Sequence, residues 1–490
     1  MRKTLMATAA ICCASIQPGH AQTAPANPSQ GQLAAPFGAG PATNNNNNAW
    51  GIANNPSGSA AAGPISTIYA PNTNKVPDPG TIVIRLNGRV EVDVAATFTS
   101  VDRGINANGT PNGFKLNPIG IGSLMRLYPG FDGLAANGLR YGAAVELREN
   151  FGAAGTPANS PSANSSGQTV FVRRAFSYLA SDNIGLLRLG QTDGVLGLFD
   201  NCIFTSQCWD VGETILNTSG LTALAPSAVI IPFAWLDQTG AEYGNNKIVY
   251  LSPQVYGFDF GVQYAPSQGN AFQNAGLNVG CTQASASCIS LSSGNDPTRW
   301  INQVGVGLRW QRTFGAVDVK AYGFYETAGK ENLTTAAYTP PSPTGSAATL
   351  RYDNLNFYKA GLAVTAYNLT AAIDYIGGAV NGALAMRPTG GVSMNAWLAG
   401  LTYANGPITL GTQFGMIDSQ GAAQLTGTSQ RHEYEVAFGG NYKLAPGLQL
   451  VAYYTYAYRH QGDFNFATNA VGATHDVQAQ QFVFSTVLTW

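Results

Sequence analysis

The stretch GLQLVAYYTYAYR, residues 447–459, decides the fold of this chain. Leu448 and Leu450 begin an apolar row that alanine and tyrosines continue at every second position, while Gln449 and Arg459 lie on the more polar alternate row. A period of two is that of a β-strand, whose successive side chains point to opposite faces. One apolar face against one polar face predicts a strand with lipid on one side and water on the other.

The same alternation recurs from residue 81 to residue 490. Before Trp310, for example, Val304 and Leu308 alternate with Gly305 and Arg309. Sixteen such runs lie near residues 81–98, 114–127, 138–149, 169–180, 184–192, 246–252, 256–264, 301–313, 316–327, 355–366, 368–377, 393–404, 407–417, 432–443, 447–459 and 477–490. A buried soluble core explains any one of these runs, but their repetition favours an all-β transmembrane antiparallel β-barrel of sixteen strands.

The links between these runs alternate in length. The short links are residues 181–183, 253–255, 314–315, 367, 405–406 and 444–446, and much longer links separate them. Outer-membrane barrels have short periplasmic turns and longer external loops, so this rhythm predicts the direction of every strand. Only the second link, residues 128–137, is long for a turn.

The composition agrees with a membrane barrel. Only 10% of the residues are charged, against roughly 25% in ordinary soluble domains. The formal net charge of -1 gives no attraction to nucleic acid, so we expect no nucleic-acid partner. No run of about 20 predominantly apolar residues predicts a membrane-spanning helix.

The N-terminal region predicts export. A basic start at residues 1–3, an apolar stretch over residues 5–16 and the small-residue site ending at Ala21 indicate a signal peptide, residues 1–21. Cys12 and Cys13 lack the small-residue pattern of a lipoprotein. Residues 22–80 are rich in Ala, Pro, Asn, Gly and Ser, which predicts a disordered periplasmic leader. A leader that plugs the lumen or contacts the cell wall stays an alternative.

Four cysteines remain beyond the predicted signal, in two close pairs: Cys202 with Cys208, and Cys281 with Cys288. In an exported chain, close pairs predict local disulfides. Zinc is the alternative, although neither pair has an adjacent histidine or a second Cys-x-x-Cys motif. We expect no metal and no cofactor, because glycine pairs such as Gly439-Gly440 lie within a strand pattern rather than in a phosphate-binding loop.

The sequence resembles the Gram-negative general porins, especially the trimeric proteobacterial type, across residues 81–490, and several segments carry this resemblance. These segments are GRVEV at 88–92, LRYG at 139–142, ELR at 146–148, FVRRAF at 171–176 and GLLRLGQ at 185–191. The chain also ends on a strand whose residues Phe482, Phe484, Leu488 and Trp490 share one face, interrupted by Thr486. This end is similar to the family's terminal signal for the barrel assembly machinery, although the family usually ends in Phe.

The resemblance implies a homotrimer in the outer-membrane lipid of a Gram-negative bacterium. It implies passive diffusion of small hydrophilic solutes and ions through a lumen that the third external loop narrows by folding inward. The candidate for that loop is the link 193–245, which contains Cys202 and Cys208.

Charged residues divide between the first strands and this link. Arginines at inward positions form a predicted basic wall: Arg85, Arg89, Arg126, Arg140, Arg148, Arg173 and Arg188. The link supplies a predicted acidic side: Asp193, Asp200, Asp210, Glu213, Asp237 and Glu242. Opposed charges would set a transverse field across the constriction. Alternatively, the arginines pair with Glu91, Asp93 and Glu146 on the same wall. Alternation places Arg174 outward beside Val172 and Phe176, which either a trimer contact or a different strand register would accommodate.

Other functions remain open at this point. Some outer-membrane barrels are hydrolases, but His432, His460 and His475 lie near loop ends, where solvated histidines are ordinary. A substrate-specific channel for sugars or organic acids is the main alternative to general diffusion. An adhesive or structural barrel is a further one.

Overall fold

The computed structural model describes most of the chain after residue 78. The described residues are 79–100, 103–105, 111–115, 117–150, 170–181, 184–192, 194–196, 246–253, 255–267, 300–330, 352–381, 386–421, 430–445, 447–466 and 470–490. The predicted signal peptide, nearly all of the predicted leader, the four cysteines and most of the link after β7 lie outside these residues. None of the described residues form a helix with the length and hydropathy of a membrane span.

The described residues form twenty strands. They are β1 (Ile82–Thr99), β2 (Arg103–Ile105), β3 (Pro111–Lys115), β4 (Ile119–Leu134), β5 (Arg140–Asn150), β6 (Phe171–Ser181), β7 (Gly185–Gln191), β8 (Asn246–Leu251), β9 (Phe258–Ser267), β10 (Trp300–Phe314), β11 (Val317–Lys330), β12 (Leu355–Ala366), β13 (Leu369–Ala379), β14 (Met394–Asn405), β15 (Ile408–Ser419), β16 (Arg431–Ala445), β17 (Leu448–Gln461), β18 (Phe464–Asn465), β19 (Ala470–Val471) and β20 (Val477–Thr489).

Sixteen of these strands close into one antiparallel barrel. β1 pairs with β20 on one side and with β4 on the other, and each remaining barrel strand pairs with its sequence neighbours. The hairpins β2–β3 and β18–β19 lie within links and stand apart from the barrel sheet. The predicted sixteen-stranded all-β barrel is confirmed. We call the end that carries the long links the external end, because loops of such barrels are longer outside the cell.

The predicted faces of two strands are confirmed. In β17, Gln449, Thr455 and Arg459 are buried toward the interior, whereas Ala452 is exposed on the outer face. In β10, Leu308 is 54% exposed on the outside. A closed sheet sends alternate side chains to its two faces, and the sequence alternation therefore reports which side meets lipid.

The second barrel strand is longer than predicted. β4 extends to Leu134, so only residues 135–139 remain as the link to β5, and this link joins the short class. The prediction ended the strand too early because Pro129-Gly130 is typical of a turn. Pro129 instead lies opposite Leu86 of β1, and the pairing of β4 with β5 skips Pro129, which has no N–H to donate.

A β-bulge in β6 corrects the predicted facing of two residues. Glu146 lies opposite Arg174 and Leu147 lies opposite Val172, so Arg173 is an extra residue in β6. An inserted residue reverses the alternation beyond it. Val172 is exposed, whereas Phe176 is 7% exposed and faces inward. The prediction that Phe176 shares the outer face with Val172 was therefore wrong. Arg174, which was also predicted to face outward, lies opposite Glu146, whose side chain faces inward.

The end of the chain closes the barrel seam. Phe482, Phe484, Leu488 and Trp490 are between 42% and 50% exposed on the outer face, as their shared alternation predicts. The amide and carbonyl groups of Trp490 exchange hydrogen bonds with those of Gly88, at 3.1 and 3.2 Å. The C-terminal aromatic residue therefore lies in the sheet, beside the first strand.

The interior is not uniformly polar. Phe324, Phe357, Ile376 and Leu398 lie at inward positions on the adjacent strands β11 to β14, and none is more than 3% exposed. The rings of Phe324 and Phe357 are 6.1 Å apart. Part of the inner wall is thus apolar, which differs from the polar inner face expected from β10 and β17.

Several links bond to one another at the external end. Asn381 and Gly421 exchange two hydrogen bonds of 2.9 and 3.1 Å between the side-chain amide and the backbone. Arg387 donates to Asp353 at 2.6 and 3.1 Å and to Ser393 at 2.7 Å. These bonds fix the links around the mouth in relation to the strands below.

Candidate channel interior

The inner wall of the barrel carries buried charged side chains on twelve of its sixteen strands. Those that are buried at inward positions are Glu91, Asp93, Arg126, Asp132, Glu146, Arg188, Lys247, Asp259, Arg309, Glu326, Lys359, Asp374, Glu433, Glu435 and Arg459. Buried charges need partners, because an ion loses its hydration on leaving water. The contacts among these groups therefore define what the wall presents.

A tyrosine reaches across a glycine to an aspartate on the wall of the first strands. Asp132, Gly142 and Tyr178 lie opposite one another on β4, β5 and β6. The Tyr178 hydroxyl donates a hydrogen bond to Asp132. A Cβ atom at Gly142 would overlap the Tyr178 ring, so only glycine leaves the path open.

The same arrangement recurs on the part of the wall formed by β9 to β13, which we call the far wall. Tyr322, Gly361 and Asp374 lie opposite one another on β11, β12 and β13. A side chain at Gly361 would overlap both the Tyr322 ring and the Asp374 carboxylate. Lys359 completes the group, with its Nζ 3.4 Å from Asp374 Oδ2 and 5.5 Å from the centre of the Tyr322 ring.

An arginine–aspartate pair extends this far wall. Arg309 of β10 donates through Nε and a terminal nitrogen to the two carboxylate oxygens of Asp259, at 3.1 and 2.6 Å. Bidentate pairs of this kind fix both side chains in one plane. Arg309 also lies opposite Tyr322, so the pair continues the row of Tyr322 and Asp374 around the wall.

Arg188 connects the predicted basic wall to the start of the long link. Its guanidinium carbon lies 4.8 Å from the centre of the Phe176 ring, and a terminal nitrogen donates to Thr192 Oγ1 at 3.3 Å. Stacking on an aromatic face is favourable for a desolvated guanidinium. Thr192 and Arg188 are both fully buried.

The first residues of that link turn into the barrel. Val195 is fully buried, and its N–H donates to the side-chain oxygen of Gln263. Gln263 and Gln303 both donate to Glu326, Gln263 at 3.3 Å. A side chain at Gly261 would meet Val195, so the inner face of β9 is shaped to receive it. The remainder of the link beyond Leu196 lies outside the described residues.

The structure brings some of the predicted arginines together. Arg89, Arg126 and Arg148 lie opposite one another on β1, β4 and β5, and Arg126 is fully buried. Arg140 is partly buried on β5. For Arg85, Arg89, Arg148, Arg173 and Arg174, only the backbone is described.

The predicted acidic side lies outside the described residues, as do the predicted disulfide cysteines. This applies to Asp193, Asp200, Asp210, Glu213, Asp237 and Glu242, and to Cys202, Cys208, Cys281 and Cys288. The opposition of the two charge clusters therefore stays a prediction. Glu91, Asp93, Asp132 and Glu146 are buried on the strands that carry the arginines, so charges of both signs line that wall.

Sequence reasoning missed the groups on the far wall. Asp259, Arg309, Lys359 and Asp374 lie on strands whose faces alternation predicts, so their inward direction was readable. Their pairing was not readable, because it depends on the register between neighbouring strands. A charged residue on the polar row of a barrel strand is the signal that would have found each of them.

The histidines lie at the external rim. His432 Nδ1 is 2.6 Å from Asp418 Oδ1, and His460 Nδ1 is 2.6 Å from Asp476 Oδ1. The two imidazole rings stack 6.3 Å apart. Among the described residues, no group of three or more His, Cys, Asp or Glu side chains could hold a metal ion. The two histidine–aspartate contacts tie β15, β16, β17 and the segment before β20 together.

The family model described as Gram-negative porin matches residues 57–463. No curated protein sequence matches the chain.

The solved structures that align with most of the chain share little sequence with it. OmpT of Vibrio cholerae, an in-vitro folded outer membrane protein in a trimer form, aligns with 84% of this chain and 100% of its own at 12% identity, with a TM-score of 0.46. A mutant of Rh. blastica porin aligns over 83% of this chain and 100% of its own, at 14% identity and a TM-score of 0.42. An anion-selective porin from Comamonas acidovorans has the same coverage, with 15% identity and a TM-score of 0.43.

The family match covers most of the chain, and the barrel it falls on is closed and lined with charged groups. The chain therefore belongs to the Gram-negative porin family and is a bacterial outer-membrane channel for passive diffusion.

Proposed function

We propose that this porin is a general diffusion channel for small hydrophilic solutes and ions, and that it has no catalytic activity. The single observation that carries the proposal is the set of paired charges on the inner wall, such as Arg309 with Asp259 and Lys359 with Asp374. Fixed charges in a narrow lumen order water and favour polar solutes over apolar ones. This selectivity does not require a binding site shaped to one substrate.

Within the proposal, the arginines of β1, β4, β5, β6 and β7 form one side of the constriction. The buried positions of Arg126 and Arg188 support this side. The link 193–245 would supply the acidic side. The inward turn at Val195, held by Gln263, supports an inward course for the start of that link. The assembly proposed is a homotrimer inserted by the barrel assembly machinery, as the family resemblance implies.

Planar bilayer recordings test the channel and its basic wall together. Purified protein should run as an SDS-resistant, heat-modifiable oligomer and conduct ions in steps. An Arg140→Ala, Arg188→Ala double variant should reduce anion preference, because it removes two positive charges from the wall. Arg312→Ala is the matched control, since Arg312 is exposed on the outer face beside Phe314. Unchanged conductance and ion selectivity in the double variant would exclude the assignment of the wall.

A substrate-specific channel is the second candidate, and the apolar inner patch favours it. Phe324 and Phe357 make part of the inner wall apolar, and a wall with polar and apolar parts suits a solute of mixed character, such as a sugar or an organic acid. Liposome swelling separates the two functions, because a specific channel saturates with solute concentration and a diffusion channel does not. Absence of swelling for all solutes would exclude both.

A further inference from the structure

Arg431 lies at the inner rim of the external mouth. It is the first residue of β16, and its cross-strand neighbours are Ser419 of β15 and Gln461 of β17. Both neighbours are at most 2% exposed at inward positions. A solute entering from outside therefore passes Arg431 before it reaches the charged wall of the barrel.

The guanidinium of Arg431 is held in place by several contacts. Its Nε donates to Gln461 Oε1 at 3.1 Å. Its central carbon lies 5.6 Å from the ring centre of Phe464 and 5.1 Å from that of Phe466. These two rings pack edge to face at 4.9 Å and are at most 3% exposed. A Cβ atom at Gly421 would collide with the Arg431 side chain, so glycine leaves it room.

The acid closest to Arg431 on its own strand is bound by another arginine. Glu433 is the nearest inward acid on the same strand, and it pairs with Arg459 of β17. Among the described residues, Arg431 has no carboxylate partner within salt-bridge distance, whereas Arg387 at the same end pairs with Asp353 at 2.6 Å. The acid nearest to Arg431 along β16 is thus already held by another arginine, and Glu435, the next inward acid, lies two residues further from the rim.

The adjoining links offer little further acid. Residues 420–430 contain no Asp or Glu. The link 462–476 contains Asp463 and Asp476. Asp476 is bound to His460 and Tyr458 on the outer side of the rim, and Asp463 is exposed in the turn before β18.

We propose that Arg431 is a capture site for small oxyanions, carboxylates and phosphates, that enter the channel from the external side. A planar guanidinium with its Nε already bound presents its terminal nitrogens to two oxygens of one anion. The aromatic rings and Gln461 preorganise it, so little side-chain entropy is lost on binding. The proposal rests on the channel function and names the solute class that this function favours.

Reversal potentials across a bilayer, with acetate or inorganic phosphate as the anion, test the site. Arg431→Gln removes the charge, and Gln461→Glu neutralises it while keeping the arginine and its packing. Both should lower the anion-to-cation permeability ratio about two- to fivefold, the range for one unit charge about 4 Å from an ion in water-like surroundings. Arg431→Lys keeps the positive charge, so it should retain most of the native permeability ratio for chloride. It should retain less of the ratio for phosphate, because lysine lacks the planar pair of donors that a guanidinium offers to two oxygens of one anion.

The Arg387→Gln, Asp353→Asn double variant is the matched control, because it removes an arginine from the same end together with its carboxylate partner and leaves the net charge at the mouth unchanged. It should change the ratio less than either test variant. Conducting Arg431→Gln and Gln461→Glu channels with unchanged ratios would overturn the capture site. An equal effect of the Arg387→Gln, Asp353→Asn control would also overturn it, by showing that any change of side chains at the mouth has this effect. Failure of the native protein to conduct at all would instead refute the channel function.

Discussion

The ring of Trp490 lies over Gly88, and the two residues exchange backbone hydrogen bonds at 3.1 and 3.2 Å across the seam of the barrel. A Cβ atom at Gly88 would overlap this ring. The last residue of the chain therefore packs on the first strand only because position 88 has no side chain. Closure of the barrel and the placement of its terminal aromatic residue depend on the same contact.

Gly88→Leu should therefore weaken closure of the barrel. The leucine side chain must displace the Trp490 ring, and overpacking of this kind typically costs about 1–3 kcal/mol. Urea unfolding of the refolded barrel in lipid vesicles measures the change. Val90→Leu is the control, because Val90 lies on the same outer face, opposite Leu488, and already has a side chain. Equal midpoints for the two variants would contradict the role of Gly88.

Asp476 should stabilise the external rim in a pH-dependent way. Burial disfavours its carboxylate, but hydrogen bonds from Tyr458 and His460 and the charges of His460 and His475 outweigh burial and hold the pKa of Asp476 below its usual value of 3.8. A carboxyl whose pKa is lowered by folding contributes stability above its unfolded pKa and loses it as the pH falls through the folded pKa.

The Asp476→Asn variant tests this contribution. The difference in unfolding midpoint between the native protein and the variant should be larger at about pH 5 than below about pH 4, because the Asp476 carboxylate is protonated as the pH falls. Asp463→Asn is a suitable control, because Asp463 is exposed at a positive φ of 56°, which asparagine also tolerates. A difference that changes instead around pH 6 to 7, where an ordinary histidine titrates and a carboxyl does not, would assign the effect to the histidines.

Gly361 should tolerate no side chain, because it separates Tyr322 from Asp374 on the inner wall. Gly361→Ala would push the Tyr322 ring away from Asp374 and Lys359, and we expect a loss of about 1–3 kcal/mol in the free energy of unfolding. Gly323→Ala is the matched control on the neighbouring strand, since nothing lies within 4 Å of a Cβ atom there. The prediction fails if the two alanine variants unfold at the same urea concentration.

The period of two made the barrel readable from the sequence. Leu308 and Gln449 lie on the faces that their alternation predicts, because lipid and the interior select different side chains at every second position. The extent of β4 was not readable, since Pro129-Gly130 has turn chemistry but lies within a ladder to β1. Local chemistry predicts a strand well where no neighbouring strand overrides it.

The site was less readable than the fold. One extra residue at Arg173 reverses the facing of Phe176, and a bulge of this kind has no distinct local pattern. The contact of Lys359 with Asp374 depends on the register between β12 and β13, which neither strand contains alone. The sequence could therefore place charges on the inner face but could not say which of them neutralise each other.

The start of the long link should loosen when its anchor in the wall is removed. Gln263 accepts the N–H of Val195 and donates to Glu326 at 3.3 Å, so Gln263→Ala leaves the buried Val195 amide without this acceptor and removes one of the two amide donors to Glu326. A buried group left without its partner typically costs about 1–3 kcal/mol. Hydrogen–deuterium exchange of a peptide spanning residues 192–196 should become faster in this variant. Gln311→Ala is the control, because Gln311 is also buried on the inner wall, on β10, and is not among the partners of the Val195 amide. Equal exchange in the two variants would show that other contacts hold the link. The inward turn at Val195 would then not depend on Gln263.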